Sequence, residues 1–245
     1  MSPEVVIVLD TEALFRAAAA EFVTAARGAV RTKGRFDVVL SGGSTPKGLF
    51  SLLAGNPDVP WEHVRFFWGD ERHVAPGHPD SNFRMANEAL LSKVGAKPEQ
   101  VWRIAGENPN AAEAASDYQR QLREYFAISA GQVPRFDMVL LGMGPDGHTA
   151  SLFPGTQALD ERERLVVSNW VGKFYTDRIT FTAPVLNHAA MVMFMVSGAD
   201  KAPALKAVLE GPFEPAQLPA QLIRPEQGRL LWLIERTAGA MLKGA

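Results

Sequence analysis

Two side chains that can move a proton, Asp146 and His148, stand two positions apart in the stretch GMGPDGHTASLFPG (142–155). A histidine can accept a proton near neutral pH, and a neighbouring carboxylate can fix its tautomer and increase its basicity. The stretch follows the apolar run 136–141, which places the pair at the end of a strand. This pattern predicts general-base chemistry on a bound substrate.

The same stretch opens with the spacing G-x-G-x-x-G, a weak signal for a dinucleotide-binding loop. Here Pro145 lacks the N–H that a pyrophosphate would use, and Asp146 would place a negative charge beside the phosphates. Only about a turn and a half of chain separates the third glycine from Pro154, where the nucleotide fold needs a helix. The residues therefore favour a turn that presents Asp146 and His148.

A second loop, LSGGSTP, ends at Pro46 and has the composition of an anion site. Gly42 and Gly43 let the backbone turn tightly, and Ser44 and Thr45 add hydroxyl donors. A helix is predicted to begin at Pro46, so that backbone N–H groups and the helix dipole converge on a ligand such as phosphate. The alternative is a plain strand-to-helix turn.

A third loop, FWGDERH, follows an aromatic strand and carries both signs of charge. Asp70 and Arg72 point in the same direction if the extended conformation continues, and in a cleft they would hold a polar substrate. The alternative is an ordinary charged surface loop. Further on, Asp80 and Ser81 are predicted to cap a helix, whereas Asn82 suits either a cap or a ligand contact.

The elements that position these loops alternate along the chain. Strands are predicted at residues 5–9, 36–41, 64–68, 136–141, 165–169, 178–182, 191–196 and 230–234. Helices are predicted at residues 11–31, 46–54, 81–94, 111–127 and 201–209, and from about residue 237. This alternation predicts an α/β fold with a mainly parallel sheet and helices on both faces. Ligands of such sheets bind beyond the carboxyl ends of the strands, where the three loops lie.

Composition narrows the class of protein further. The 245 residues, 47% of them hydrophobic and 21% charged, contain no linker or repeat, which predicts a single domain over residues 1–245. The Pro-rich stretch 211–225 is predicted to be a surface loop. A net charge of −2 gives no overall attraction to nucleic acid or acidic membranes. No apolar run approaches a membrane span, so a cytoplasmic protein is expected.

The chain offers few groups for metal or thiol chemistry. It has no cysteine, which excludes disulfides, Cys-zinc sites and a thiol nucleophile. The five histidines show no metal-binding spacing, and no G-x-S-x-G elbow surrounds Ser151. Neither a metal nor another cofactor is expected.

Together, the stretches LSGGSTP, WGDERHV with DSNFRMA, and LLGMGPDGHTASLFPG resemble the 6-phosphogluconolactonase family, in the family's order and over nearly the whole chain. The resemblance implies a modified Rossmann-like sheet of the sugar-phosphate isomerase/deaminase type. The related glucosamine-6-phosphate deaminases share the first two motifs. They usually carry a glutamate five residues after the histidine, where this chain has Phe153, and a tyrosine where it has Arg72. Both departures favour a lactonase.

For a lactonase, the resemblance implies hydrolysis of 6-phospho-D-glucono-1,5-lactone to 6-phospho-D-gluconate in the oxidative pentose phosphate pathway. His148 is then the general base that deprotonates the attacking water, and either Asp146 or Asp70 orients its ring. The oxyanion is stabilised by backbone N–H groups of the glycine turns or by Arg72.

The substrate phosphate is expected on Gly42, Gly43, Ser44 and Thr45. By resemblance, Arg178 in TDRITFT and Lys201 in SGADKAPAL supply cations there, and Asn82 is a further substrate contact. The expected partner is this small molecule alone, with no nucleic acid and no membrane, for a monomer or small homo-oligomer. Two alternatives stay open: a glucosamine-6-phosphate deaminase or isomerase, and a sugar-phosphate-binding module without catalysis.

Overall fold

The computed structural model describes residues 3–243. Its strands are Glu4–Val8 (β1), Phe36–Leu40 (β2), Val64–Trp68 (β3), Asp70–Arg72 (β4), Val101–Trp102 (β5), Met138–Leu141 (β6), Val166–Val171 (β7), Thr176–Phe181 (β8), Met191–Val196 (β9) and Arg229–Glu235 (β10). Its α-helices are Thr11–Lys33 (α1), Ser44–Leu53 (α2), Asn82–Ala86 (α3), Ala111–Phe126 (α4), Ala183–Asn187 (α5), Ala202–Glu210 (α6) and Arg236–Gly239 (α7). Short 3-10 turns lie at Trp61–His63, Pro98–Gln100, Gln157–Asp160, Gly172–Phe174, Ala199–Lys201 and Pro219–Leu222.

Seven strands form one parallel sheet in the order β1-β10-β9-β6-β2-β3-β5. The central strands β2, β6 and β9 are buried along their whole length, as expected of strands covered on both faces. The predicted mainly parallel α/β sheet is confirmed. Because β3, β2, β6 and β9 are neighbours, the loops that follow them meet at one edge of the sheet.

The other three strands form a separate antiparallel sheet in the order β4-β8-β7, which the sequence did not predict. Strands were expected at residues 165–169 and 178–182, but no helix separates β7 from β8, so the chain returns directly and pairs antiparallel. The ring of Phe181 in β8 stacks on Phe136 beside the large sheet, 5.5 Å between centroids. This shared core is consistent with a single domain, which stays a prediction.

Helix boundaries differ from the prediction where backbone geometry decides them. Gly43 has φ +106° and directly precedes α2, so the helix begins at Ser44 and Pro46 is its third residue, not its first. The predicted helix 81–94 is α3 followed by a π-helical turn over Asn87–Leu91. No helix within residues 3–243 is long and apolar enough to cross a membrane.

The Pro-rich stretch 211–225 is only partly the surface loop that was predicted. Gln221 is buried, and its side-chain amide donates to the carbonyl oxygen of Pro212 at 2.8 Å. The N–H of Ala220 donates to the carbonyl of Gly147 at 2.9 Å, and Leu218 packs against the same glycine. This segment therefore supports the turn that carries Asp146 and His148.

Candidate active site

A cleft of about 240 Å³ opens at the carboxyl edge of the parallel sheet. It is lined by residues 41–46, Asp70, Arg72, residues 142–145, His148, Ala150, Met195, Ser197 and Lys201. All three predicted loops therefore contribute to one cleft. A larger cavity of about 500 Å³ beside α6 and β10 is lined by both apolar and polar residues, none of them a predicted site residue.

His148 and Asp146 form a hydrogen-bonded pair at this cleft. The Nδ1 atom of His148 lies 2.5 Å from Oδ1 of Asp146. Burial alone would raise the pKa of Asp146, but the hydrogen bonds and charge of His148, together with Lys173, hold it well below its usual range. The ionised carboxylate only accepts hydrogen bonds, so Nδ1 carries the proton and Nε2 is the nitrogen that can accept another. Of the two acids left open by the sequence, Asp146 is the one in contact with His148.

The glycines of the motif make room for this pair. A Cβ on Gly144 would lie 2.0 Å from Nδ1 of His148 and 2.8 Å from Oδ1 of Asp146. Gly147 has φ +75°, a conformation that side chains rarely adopt, and its missing Cβ would meet Leu218. Gly144 thus leaves the space in which the acid and the imidazole meet, and Gly147 allows the turn its positive φ.

Phe153 packs against one face of the His148 imidazole. Its ring is buried and stacks on the imidazole of His148, with centroids 4.1 Å apart and an interplanar angle of 22°. A glutamate at this position would put a carboxylate against the imidazole face. The residue that separates this chain from the deaminase pattern therefore contacts the candidate base directly.

Asp70 lines the cleft but belongs to a different hydrogen-bond network. Its Oδ2 accepts a 2.6 Å hydrogen bond from the hydroxyl of Ser151, and its carbonyl oxygen accepts one from the Asn82 amide at 2.9 Å. Ser151 is buried, with its hydroxyl committed to Asp70. The sequence offered no signal for this pairing, because 81 positions separate the two residues.

Asn82 is not among the residues that line the cleft, and its role as a substrate contact stays a prediction. Only 2% of it is exposed, since it lies beneath the glycine turn. A Cβ on Gly42 would lie 1.8 Å from Oδ1 of Asn82. Asn82 therefore supports Gly42 from behind and links that turn to Asp70.

Glu71 was not singled out from the sequence, yet it organises this loop. Its carboxylate accepts backbone hydrogen bonds from Arg72, Asn82 and Phe83 at 2.7–2.8 Å. Burial raises the pKa of Glu71, and the three backbone donors oppose that rise. Ser81 caps α3 as predicted, accepting from the N–H of Arg84.

Asp80, expected in the same cap, has a different contact. Its carbonyl oxygen accepts a 2.6 Å hydrogen bond from the guanidinium of Arg72. This bond holds the arginine side chain beside the cleft.

Two arginines lie side by side on the small sheet. Arg72 in β4 is the register partner of Arg178 in β8. Burial and the neighbouring charge of Arg72 lower the pKa of Arg178. Only Arg72 is among the residues that line the cleft, while the Arg178 guanidinium lies 5.3 Å from the ring centroid of Phe174. The pair concentrates positive charge beside the cleft, with Arg178 next to Arg72 on the neighbouring strand.

The glycine turn after β2 forms the other wall. The backbone N–H groups of the first turn of α2 have no partner within the helix and face a ligand that approaches its N-terminus. Lys201 lines the same cleft, with its ammonium 2.7 Å from Asp200. The hydroxyl of Thr45 pairs with that of Ser197 at 2.8 Å. Ser197 was missed by the sequence analysis, and its position directly after β9 was the available signal.

Within residues 3–243 no group of three or more His, Asp or Glu side chains is arranged to hold a metal ion. The chemistry that the cleft offers is thus a histidine–carboxylate pair, a buried aspartate and an arrangement of cations and N–H donors for anions.

The model of the glucosamine-6-phosphate isomerases/6-phosphogluconolactonase family matches residues 9–232. The chain belongs to this family. A 6-phosphogluconolactonase of Nostoc sp. is 43% identical over 243 residues, covering 99% of each chain. The predicted family resemblance is confirmed.

Solved structures give the same fold. The 6-phosphogluconolactonase from Trypanosoma cruzi is 28% identical, with a TM-score of 0.88 over 99% of this chain and 98% of its own. A monomeric glucosamine-6-phosphate deaminase is 19% identical, with a TM-score of 0.82 over 97% of this chain and 99% of its own, a likeness of fold alone.

Proposed function

We propose that this protein hydrolyses 6-phospho-D-glucono-1,5-lactone to 6-phospho-D-gluconate, as a carboxylic ester hydrolase of the oxidative pentose phosphate pathway. The observation that carries the proposal is the hydrogen bond between His148 and Asp146, with Phe153 against the imidazole where a deaminase-type glutamate would stand. The full-length similarity to a protein named 6-phosphogluconolactonase supports it.

In the proposed complex, the phosphate of the substrate binds at one wall of the cleft. Gly42, Gly43, Ser44 and Thr45 offer backbone N–H and hydroxyl donors, and Lys201 offers its ammonium. The lactone ring then extends towards His148. A substrate hydroxyl donates to the carboxylate of Asp70, whose other contacts already fix its orientation.

His148 acts as the general base on the attacking water. Asp146 holds the proton on Nδ1, so Nε2 accepts a proton from the water while its oxygen bonds to C1 of the lactone. The carbonyl electrons move onto oxygen, and the guanidinium of Arg72 stabilises that oxyanion. Arg178, on the strand beside Arg72, adds positive charge that favours the substrate phosphate.

The intermediate collapses with cleavage of the bond between C1 and the ring oxygen. The imidazolium of His148 returns its proton to the departing alkoxide, which becomes the free 5-hydroxyl. The new carboxylic acid ionises and releases one proton to solution. No step of this sequence uses a metal or another cofactor.

The proposed setting is the cytoplasm, and the proposed assembly is a monomer or small homo-oligomer that binds neither nucleic acid nor membranes. A net charge of −2 supports the absence of a polyanionic partner.

Proton release tests the function. Purified protein is mixed with freshly prepared lactone in weak buffer, and acidification is compared with the spontaneous rate. The same preparation is assayed for ammonia release from glucosamine 6-phosphate. Acidification far above the spontaneous rate without ammonia supports the lactonase. Ammonia without acidification would replace it with a deaminase, and binding of 6-phosphogluconate without either product would indicate a non-catalytic module.

A further inference from the structure

The turn that joins β7 to β8 reaches back to the histidine–aspartate pair. This tip comprises residues 172–175, and its Lys173 places Nζ 3.3 Å from Oδ2 of Asp146. His148 occupies the other oxygen, Oδ1. The two carboxylate oxygens of Asp146 are therefore held from opposite sides, one by the histidine and one by a lysine 27 positions away.

The next residue of the tip contacts Phe153, the ring that stacks on His148. The ring of Phe174 meets Phe153 edge to face, with centroids 5.7 Å apart and an interplanar angle of 77°. Phe153 in turn stacks on the imidazole of His148. Phe174 also lies under the Arg178 guanidinium, at 5.3 Å. Phe174 thus links Phe153, the ring that stacks on His148, to Arg178 of the arginine pair.

The backbone of the tip is built around these contacts. Residues Gly172–Phe174 form a single 3-10 turn, and the N–H of Tyr175 closes it on the carbonyl of Gly172 at 3.3 Å. Tyr175 has φ +49°, an uncommon conformation for a bulky residue, although the residue is 85% exposed. Because Tyr175 packs little surface itself, the contacts of its neighbours must maintain its left-handed backbone conformation.

We propose that Lys173 and Phe174 are positioning residues that hold Asp146 and His148 in the orientation needed to deprotonate water. Lys173 fixes the rotation of the Asp146 carboxylate, and Phe174 presses Phe153 onto the imidazole face. The part of this proposal that concerns turnover rests on the proposed function, whereas the geometry of the pair is measurable without substrate.

These contacts contribute little to the fold itself. The Lys173 side chain is 58% exposed, and exposed ion pairs stabilise proteins weakly. Catalysis is more sensitive, because a small misplacement of a reacting group costs up to about 100-fold in rate. A loss of kcat with an unchanged melting temperature is therefore the signature of positioning, as opposed to structural support.

The test compares Lys173→Met, Lys173→Arg and Phe174→Leu, with Tyr175→Asn as the matched control on the same tip. Asparagine tolerates the left-handed conformation, and Tyr175 makes none of the contacts described for Lys173 and Phe174. For each variant, kcat and KM for the lactone are measured with the melting temperature. The downfield proton resonance of His148 Nδ1–H, assigned with His148→Ala, is recorded without substrate.

We expect Lys173→Met and Phe174→Leu to lower kcat about 10-fold, with KM within about twofold and a broadened Nδ1–H resonance. Lys173→Arg keeps kcat and the Nδ1–H resonance close to those of the wild type, and Tyr175→Asn matches the wild type in both. An unchanged resonance and kcat in Lys173→Met overturns the proposal, as does a raised KM with unchanged kcat. If the wild type shows no lactonase activity, the resonance alone decides whether the tip orients the pair.

Discussion

The two ends of strands β2 and β6 use charged residues in opposite ways. At the amino end, Asp37 is fully buried and accepts from Tyr125 at 2.6 Å, Lys33 at 2.7 Å and Arg35 at 3.1 Å. Lys33 also lies 2.9 Å from Asp137, just before β6. The charges in this cluster, Lys33, Arg35, Asp37 and Asp137, thus have partners within it.

At the carboxyl end, the charged groups face a cleft. His148 is fixed through one ring nitrogen only, and Arg72 and Lys201 line open space. The comparison extends to two aspartates that flank β6. Burial raises the pKa of Asp137, whereas His148 and Lys173 overcome burial and lower the pKa of Asp146. The amino end uses charge to join elements of the fold, whereas the carboxyl end holds its charged groups, each with a neighbouring polar partner, at the wall of a cleft.

The largest expected effect is at the carboxyl end. His148→Ala should lower kcat for lactone hydrolysis by about 100- to 10,000-fold, because it removes the general base. The melting temperature should stay close to that of the wild type, since His148 contributes to the cleft and not to the core. Proton release and thermal unfolding measure both. His63→Ala, on an exposed turn, serves as the control.

Substitution at the amino end should have the reverse outcome. Asp37→Ala removes the buried acceptor of Tyr125, Lys33 and Arg35 and should lower the free energy of unfolding by about 1–3 kcal/mol. The kcat of the folded protein should be unchanged. Urea unfolding measures this, with Asp58→Ala as the control because its pair with Arg27 is exposed. A stable Asp37→Ala protein with low kcat would remove the distinction between the two ends.

A smaller effect is expected at the side of the cleft proposed to bind the substrate phosphate. Lys201→Ala should raise KM for the lactone about 10- to 100-fold, the loss of one charge-assisted hydrogen bond, and change kcat little. Lys206→Ala, on the exposed side of α6 beside Glu210, is the control. Steady-state kinetics separate the two parameters. A drop confined to kcat would place Lys201 near the reacting carbon instead.

The smallest effect is in the pH dependence of stability. Because the pKa of Asp146 is lowered in the folded protein, its contribution to the free energy of unfolding is present above about pH 4 and is lost as pH falls. The raised pKa of Asp137 means that its contribution is present below about pH 4 and is lost as pH rises.

The stability lost in Asp146→Asn should therefore shrink towards acid, and that lost in Asp137→Asn should shrink towards neutral pH. Urea midpoints between pH 3 and 7 test these signs. The same sign for both variants would contradict the contrast.

Residues close in sequence carried most of what could be predicted about the site. The strand-to-loop pattern located all three loops at one sheet edge, and the two-residue spacing of Asp146 and His148 identified their pairing as one of two options. The parallel sheet followed from apolar runs such as β9, which no solvent-facing alternation interrupts.

The parts of the site that the sequence did not predict depend on contacts between residues far apart in the chain. The contact of Ser151 with Asp70 joins residues 81 positions apart, and that of Lys173 with Asp146 joins residues 27 apart. Neither leaves a pattern in one sequence. The amide side chain of Asn82 suits a ligand contact, and only its packing beneath Gly42 reveals that the residue is buried.

Chemical rescue tests the role of His148 most directly. The rate of proton release from the lactone is measured for His148→Ala with increasing imidazole, after subtraction of the rate without protein. A general base predicts that imidazole restores turnover in the variant with saturation, in proportion to its unprotonated fraction, and leaves the wild type unchanged. A variant whose kcat equals that of the wild type without imidazole would contradict a general base at His148.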